Sequence, residues 1–507
     1  MAGREERLQM IRSVDRLGYE TFDLLIVGGG IIGAGVARDA AMRNLRVALI
    51  DQGDFGSGTS SRSSKLVHGG LRYLEQAEFR LVYEACRERR VLLRIAPHLV
   101  KPQPILFPCY HGTGRPLWKV RCGLALYDFL AGDRAIGKHR MVSPEEIHRL
   151  EPAMDLRRLD GGGIYYDCRM NDSRLCIENV ISADQNGAVV ANYVRLAEFS
   201  KSGGAITGAV VEDLETGKEI QIHARIIVNA TGPWADLLRT LDDPAAKLVV
   251  RKTRGVHLLT RRLLQSTGAA WTARADGRML FLMPFDDAHS LIGTTDTDSR
   301  EDPSDPGIDS GDVDYLLAEV NAILAGSPLT RRDVKGVFSG LRTLISHQGK
   351  PSDISREYKI EESQSGLISV IGGKFTTYRA MAERVVDRVM RRSGRPRIPC
   401  QTDGVALAAG PAGAACGSEP FMEHEIFPKC GVAWKDAVHA VQFEMARRPM
   451  DFLRRRTTLA LIRPPAPEVA QTLCRLFQKD IGWDSAKIER ETAQALCEWG
   501  RYHIQAD

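Results

Sequence analysis

The sequence predicts an α/β protein of three units: a parallel-sheet domain assembled from separated segments, a strand-rich domain with an antiparallel sheet, and a helical C-terminal cap. Three observations predict it. A short apolar run at 22–27 (FDLLIV) ends in Gly28-Gly29-Gly30, a helical stretch runs from Ile31 to Arg43, and a second apolar run follows at 45–50 (LRVALI). Strand, glycine turn, helix, strand is a βαβ unit with parallel strands. Residues 250–300 are rich in strand patterns (VHLLT, MLFLMPF, SLIGTT). Residues 420–507 read as mostly helical, behind a Gly/Ala/Pro-rich stretch at 402–419 with the composition of a linker.

The other elements follow in chain order. Met10, Ile11, Val14 and Leu17 have helical spacing, which predicts a short packing helix. Residues 78–95 are helical in pattern; between 100 and 165 prolines alternate with short apolar runs, with a helix near 117–131. Residues 205–230 read as antiparallel strands feeding one more buried strand at 225–228. A helix is predicted at 312–324, a buried strand at 367–371 and a helix at 375–392. The resulting boundaries are 20–98, 165–245 and 345–395 for the parallel-sheet domain, 99–164 and 246–344 for the strand-rich domain, and 396–507 for the cap.

At 507 residues the chain has room for about three domains of about 150 residues. With 43% hydrophobic and 26% charged residues it is neither disordered, nor collagen-like, nor a multi-spanning membrane protein. The formal charge of +5 is too small to argue a nucleic-acid partner, and none is expected. Ten cysteines are scattered without a CxxC pair or a zinc-type His/Cys spacing, so reduced thiols and no metal are expected. The first twenty residues carry Glu5, Glu6 and Asp15 and lack an apolar core, and no window holds 18 consecutive apolar residues. These features predict a cytoplasmic protein without a membrane span.

The 47 glycines are clustered, and the clusters mark the chemistry. Gly28-x-Gly30-x-x-Gly33 follows a strand and opens a helix, and Asp51 ends the second strand 18 residues beyond Gly33. The first glycine permits the tight turn, the second lets backbone approach a pyrophosphate, and the third packs helix on strand. The helix N-terminus favours phosphate, and a terminal acid accepts from a ribose hydroxyl. This fingerprint does not separate NAD from FAD. Two further strand ends, RIIVNATG closing at Gly232 and SVIGGK closing at Gly373-Lys374, favour the longer FAD, because each places a tight turn near an extended cofactor. A helix N-terminus after Gly373 suits the pyrimidine end of a flavin, where negative charge develops on reduction.

Residues 59–76 (TSSRSSKLVHGGLRYLEQ) join a Ser-rich loop, a glycine pair and an Arg-Tyr dyad. This run closely resembles the signature of FAD-dependent glycerol-3-phosphate dehydrogenases of the aerobic, quinone-linked type. VNATGPWAD (228–236), RGVHLL (254–259), IGTTDTD (292–298), SGLRTL (339–344), SREYKI (355–360) and GGKFTTYRAMAE (372–383) resemble the same family in the same order. ARRPMDFLRRRTTLAL (446–461) resembles its helical cap. The resemblance implies an FAD-binding Rossmann-like fold of the D-amino-acid-oxidase and glutathione-reductase type. It implies that Gly28, Gly30, Gly33 and Asp51 hold the ADP part of FAD. Thr59, Ser60, Ser64, His68, Gly69, Gly70 and Leu71 would line the flavin and its phosphates, with Gly232 and Gly373 at the turns beside it. Arg72, Tyr73, Arg342, Arg356 and Lys374 would form the substrate pocket. A phosphomonoester near −2 charge needs several cations, and arginine forks match its oxygens, so Arg72 and Arg356 are expected on the phosphate. Lys374 and Arg342 are expected nearer the reacting hydroxyl.

The reaction so implied is hydride transfer from C2 of sn-glycerol 3-phosphate to FAD, giving dihydroxyacetone phosphate. Oxidation of the C2 hydroxyl needs a proton acceptor. His257 is the first candidate because an ordinary imidazole titrates near neutrality; His68 is the second. His257, Arg342 and Lys374 are thus the expected catalytic group. Arg342, a poor base, would stabilise the alkoxide.

The resemblance implies a membrane quinone as electron acceptor, hence peripheral contact with the inner face of the cell membrane. Residues 446–463 offer Arg447, Arg448, Arg454, Arg455, Arg456 and Arg463 against Asp451 alone. Two readings stand for this stretch: contact with anionic headgroups, or a cap whose arginines pair with acids of the FAD domain. A homodimer is among the assemblies left open. The acid-rich run 296–307 fails the EF-hand template, with Glu301 at position six and Gly307 at twelve. Its failure also argues against the mitochondrial relatives, which carry such a module. Competing functions are an oxidase passing electrons from glycerol phosphate to O₂, a flavin oxidase of another hydroxy or amino acid, and a membrane-bound flavin redox sensor.

Overall fold

The computed structural model describes residues 14–112, 115–273, 275–346, 358–407 and 420–504. The expected helix is present as Val14–Tyr19, with Leu17 buried; Met10 and Ile11 lie outside the described residues, as does most of the predicted linker.

The first sheet runs, in spatial order, Tyr358–Glu362, Leu367–Gly372, Glu219–Asn229, Thr21–Val27, Val47–Asp51, Val189–Asn192. Its five inner pairings are not all alike: from Leu367–Gly372 to Val189–Asn192 the strands are parallel, whereas Tyr358–Glu362 joins antiparallel. Parallel strands are covered on both faces, which is why 22–27 reads as a continuous apolar run; all six of those residues are buried. One face is covered by the helices Ile31–Met42, Asp172–Gln185 and Tyr378–Arg392, the other by the ribbon Val194–Ser202 and Ala205–Asp213. The strand Glu219–Asn229 serves both layers: its first half pairs antiparallel with that ribbon and its second half parallel with Thr21–Val27.

The second sheet holds ten strands, among them Val100–Tyr110, Leu159–Met170, Val250–Arg261 and Val334–Ile345. Val250–Arg261 and Val334–Ile345 pair antiparallel along nearly their whole length, which sets His257 opposite Phe338 and Thr253 opposite Arg342. Val100–Tyr110 is one continuous strand through the proline-containing stretch: Pro102, Pro104 and Pro108 share one parity along the ladder with Leu159–Met170, so the residues of the other parity keep their N–H groups for pairing. The helix Leu117–Ala131 lies where its periodicity placed it. The helix Asp172–Gln185 had no part in the sequence reading; it starts at Asn171, whose side chain accepts from the Arg174 N–H at 3.1 Å.

The C-terminal helices pack around Trp434, Phe452, Leu473, Phe477 and Trp499 and bury Leu259, Leu291 and Phe338 of the second sheet. A π-helical turn over Phe452–Arg456 interrupts them. The cap is therefore built against both sheets rather than tethered beside them.

Candidate active site

A cavity of about 950 Å³ lies at the carboxyl edge of the parallel sheet, walled by both sheets and the cap. Gly28, at the end of the first strand, has φ +106, and a Cβ there would stand 2.7 Å from the Ala230 carbonyl oxygen. Gly33 lies off the cavity wall: a Cβ on it would come within 1.8 Å of the Gly28 carbonyl oxygen. It sets how closely helix meets strand. Ser60 Oγ accepts from the Ile31 N–H at 2.9 Å, which brings the Ser-rich loop to the N-terminus of the helix Ile31–Met42. Gly33→Ala is expected to push that helix away and leave the purified protein without its cofactor, with a stability loss of about 3 kcal/mol. Absorbance at 450 nm and a denaturation curve measure both.

Asp51 ends the second strand with both oxygens engaged: Oδ2 accepts from the Gly29 N–H at 2.6 Å and Oδ1 from the Gly53 N–H at 2.8 Å. Burial pushes its carboxyl up to about 6, against these two N–H groups. Each oxygen keeps a lone pair for a further donor.

From Thr59 to Tyr73 the chain wraps the middle of the cavity. Thr59 Oγ1 donates to the Leu341 carbonyl at 2.6 Å, tying the loop to the second sheet. Ser64 Oγ and His257 Nε2 are 2.8 Å apart. Gly69 N–H donates to Tyr127 Oη at 2.9 Å and to Asp167 Oδ1 at 3.1 Å. Gly70 has φ +85 and leads into the turn Leu71–Gln76. Tyr73 lies under the Lys374 ammonium, 3.4 Å from Nζ to the ring centroid. Opposite, the Arg342 guanidinium donates to Asp296 Oδ1 at 2.9 Å, Thr295 O at 3.0 Å and Thr294 Oγ1 at 3.1 Å.

His257 is buried and stacks on Phe338 with ring centroids 4.8 Å apart; its Nδ1 has no hydrogen-bond partner among the described residues. Burial, then the charges of Arg342 and Lys65, hold it well below the usual imidazole range. Burial likewise brings His68 down to about 4. A histidine whose folded pKa is depressed contributes stability that is present above pH 6.5 and lost as pH falls through its folded value. Asp51, pushed up, works the other way, losing its contribution as pH rises through about 6. Each histidine therefore takes stability from the apoprotein as pH falls below 6.5, and His257→Asn should make its melting temperature less sensitive to pH in that range.

Of the residues expected from sequence, Gly28, Gly30, Asp51, Thr59, Ser60, Ser64, His68, Tyr73, Gly232, His257, Arg342, Gly373 and Lys374 line this one cavity. Gly33, Gly69, Gly70, Leu71 and Arg72 are not among the residues that line it. Arg356 lies outside the described residues.

The structure decides between the two readings of 446–463. Arg454, Arg455 and Arg456 are buried, and the latter two bond Asp54 beside the first glycine turn. A stretch so enclosed cannot lie on headgroups; it docks the cap. The cap then contributes wall residues that sequence reasoning did not place in the site: Arg448, Met450, Glu491, Gln494 and Glu498. The acids of 296–307 are likewise taken up by arginines, Asp298 by Arg251 and Glu301 by Arg254.

Such a cavity, at the glycine turn of a parallel sheet and walled by a second, antiparallel one, defines a dinucleotide-dependent oxidoreductase of the flavin type. Residues 23–388 match the family described as FAD dependent oxidoreductase, and residues 414–488 match the C-terminal domain of alpha-glycerophosphate oxidase. Over 95% of its length the chain is 35% identical to glycerol-3-phosphate dehydrogenase 2 of Mycobacterium tuberculosis strain H37Rv, covering 88% of that protein. Over 82% of its length it is 39% identical to the aerobic glycerol-3-phosphate dehydrogenase of Bacillus subtilis strain 168, covering 75% of it. The structure of the glycerol-3-phosphate dehydrogenase from Bacillus halodurans complexed with FAD superposes with a TM-score of 0.78 at 28% identity, covering 99% of this chain and 100% of that one. The chain belongs to the family of FAD-dependent glycerol-3-phosphate dehydrogenases, and FAD is its cofactor.

Proposed function

We propose that the protein oxidises sn-glycerol 3-phosphate to dihydroxyacetone phosphate and passes the electrons to a quinone in the membrane, working at its inner face. One observation carries the substrate: Lys374 and Arg342 line the cavity beside Tyr73, in a chain 35–39% identical to dehydrogenases of that name.

The cavity fits FAD on its own geometry. Gly28 and Gly33 leave no room for a Cβ, Asp51 keeps acceptor capacity at the strand end, and the N-terminus of Ile31–Met42 faces the Ser-rich loop. Gly28, Gly30, Asp51 and Ser60 would hold the ADP part, and Ser64, His68, Gly232 and Gly373 the flavin part. When bound, FAD supplies the hydride acceptor.

The residues do the rest. Lys374 and Arg342 attract the dianionic substrate and orient it, while Arg72 and Arg356, from the family match, complete the phosphate site. Arg342, held by Asp296, sets a positive charge where the C2 oxygen becomes alkoxide-like. His257, neutral at physiological pH, takes the C2 hydroxyl proton directly or through Ser64.

Anaerobic addition of glycerol 3-phosphate to the yellow holoprotein should bleach its flavin absorbance; a flavin that stays oxidised overturns the substrate. With substrate in air, stoichiometric hydrogen peroxide would overturn the quinone. Lys374→Met is expected to raise KM for glycerol 3-phosphate about 10–100-fold, the worth of one charge-assisted hydrogen bond; an unchanged KM removes Lys374 from the pocket.

A further inference from the structure

Beside the Ser64–His257 pair the Ser-rich loop buries an ion pair. Lys65 and Asp172 are both buried, and the Lys65 ammonium donates to Asp172 Oδ1 and, at 3.1 Å, to the Ser61 carbonyl. Asp172 opens the helix Asp172–Gln185, where the macrodipole favours an acid. Its Oδ1 also accepts from the Ser173 N–H at 2.7 Å, and its Oδ2 from the Ser63 N–H at 3.1 Å and the Ser63 hydroxyl at 2.7 Å. Ser63 Oγ accepts in turn from the Lys65 N–H at 3.1 Å, and the Lys65 carbonyl from the Met170 N–H at 2.8 Å. Lys65 has φ +58, a left-handed conformation that a residue with a side chain keeps only where its surroundings over-determine it. Asp172, Ser63 and Met170 do so here. The bend they fix falls immediately after Ser64, whose Oγ meets His257 Nε2 at 2.8 Å.

The same pair brings charge to the ring. His257 stacks on Phe338, and Phe338 also carries the Lys65 ammonium 5.8 Å from its centroid and the Arg454 guanidinium at 5.4 Å. Arg454, from the cap, donates at 2.8 Å to the Ser61 carbonyl that Lys65 also uses; its Nε and Nη1 have no hydrogen-bond partner among the described residues. The other charges around His257 are Arg342 on the facing strand, held by Asp296, and Arg254 on its own strand, held by Glu301 and Asp312. Gly293, opposite His257 on the strand His289–Gly293, brings none. Each acid is spent on a cation while Arg454 is left over, so the balance about the ring is positive. Burial pushes Lys65 down to about 8 against the attraction of Asp172, so it stays charged at neutral pH and below. Holding a bend does not call for charge, since a buried ion pair is often replaced by apolar groups at no loss. Beside an imidazole the charge has a use of its own.

We propose that Lys65 and Asp172 are positioning residues for removal of the C2 hydroxyl proton: they fix the bend that aims Ser64 Oγ at His257 Nε2, and the Lys65 ammonium places a positive charge beside the imidazole. As hydride leaves C2 for the bound FAD, the proton leaves the hydroxyl oxygen for Nε2, directly or through Ser64, and the imidazolium so formed passes it to water. The neighbouring cation repels that imidazolium and favours the release, so the ring is neutral again before the next substrate binds. The assignment to proton removal rests on His257 as the acceptor, as proposed above; the place of Lys65 beside the ring is measured without turnover.

Oxidised holoenzyme carrying ¹³C-labelled histidine is titrated by NMR, with His257→Asn assigning the resonance. Over the same pH range kcat and KM for glycerol 3-phosphate are followed with a water-soluble dye. Lys65→Gln keeps a donor for Asp172 and loses the charge; the His257 midpoint and the acidic limb of kcat should both rise by about one pH unit, with KM within about threefold of wild type. Lys65→Arg should return both to wild type. Ser63→Ala keeps both charges and loosens the bend; kcat should fall about tenfold with the His257 midpoint unmoved, and in a Ser64→Ala background the change should cost nothing further. A His257 midpoint that Lys65→Gln leaves unmoved, or that Lys65→Arg fails to restore, overturns the role of the charge. A Ser63→Ala enzyme with kcat within about twofold of wild type overturns the bend, and this smaller change decides the assignment even where Lys65→Gln does not retain its flavin. A midpoint that moves with Lys65 while the limb stays in place keeps Lys65 beside the ring and removes His257 as the acceptor.

Discussion

Asp54→Ala should cost about 3–5 kcal/mol of stability and strip the protein of FAD. Asp54 is buried, and its oxygens accept from Arg455 Nε at 2.5 Å, from Arg456 Nη1 at 2.6 Å and from Arg456 Nη2 at 3.0 Å. Around this knot Asp451 Oδ1 accepts from Tyr193 Oη at 2.7 Å, and Glu444 pairs with Arg174 at 2.6 Å. Burial pushes the Asp54 carboxyl up, but Arg456 and Arg455 more than cancel that and leave it below the usual carboxylate range. A depressed carboxylate contributes stability that is present above its ordinary pKa and lost only as pH falls through the lower folded value, so cap docking should survive to pH 4. Truncating Asp54 leaves two buried guanidinium groups short of charge. A buried ion pair is not itself strong evidence of stability, but removing one partner is costly because the other cannot be hydrated. Cofactor loss follows from position. Asp54 lies three residues past Asp51, and the Gly53 carbonyl between them accepts from the Tyr193 N–H at 3.1 Å. Denaturation midpoints and the flavin-to-protein absorbance ratio measure the two effects. A variant that keeps both within error would show the cap held by its apolar contacts alone.

What the sequence made legible tracks how local the physics is. The strand 22–27, the turn at Gly28 and the acid at Asp51 lie within thirty residues, and their spacing carries the chemistry directly. The meeting of Ser64 with His257 is different. It joins residues 193 apart in sequence, one on the Ser-rich loop and one on the strand Val250–Arg261, and only the family resemblance put both near a flavin. The Arg-rich run 446–463 shows where composition stops deciding. Six arginines against one aspartate suit anionic lipid and a buried ionic knot equally well, because the acids that neutralise them, Asp54 and Glu444, are remote or set apart by a turn. The helix Leu117–Ala131 was legible as a helix, yet its apolar outer face was not legible as a surface. Hydrophobic periodicity reports which residues share a face, not whether that face meets protein, lipid or water.

His257→Asn should lower kcat by at least 100-fold with little change in KM, because a positioned general base supplies about 10²–10⁴-fold. The geometry limits how that base works. Its Nε2 lies 2.8 Å from Ser64 Oγ, and its stacking on Phe338 fixes the ring. Burial with Arg342 and Lys65 nearby keeps the ring neutral well below pH 6.5, so it stands ready to accept a proton but holds one poorly. The acidic limb of the wild-type kcat profile should therefore lie below 6.5, where an ordinary histidine would put it. In His257→Asn the remaining rate should rise with pH as hydroxide replaces the lost base, and a deuterium label at C2 should show whether hydride transfer has stayed rate-limiting. Ser64→Ala separates the two routes for the proton. A loss comparable to that of His257→Asn places Ser64 in the path; a loss under threefold means that the hydroxyl meets the imidazole directly. If His257→Asn itself costs less than tenfold, the histidine packs against Phe338 and Gly293 without taking the proton, and Lys374 becomes the residue to test.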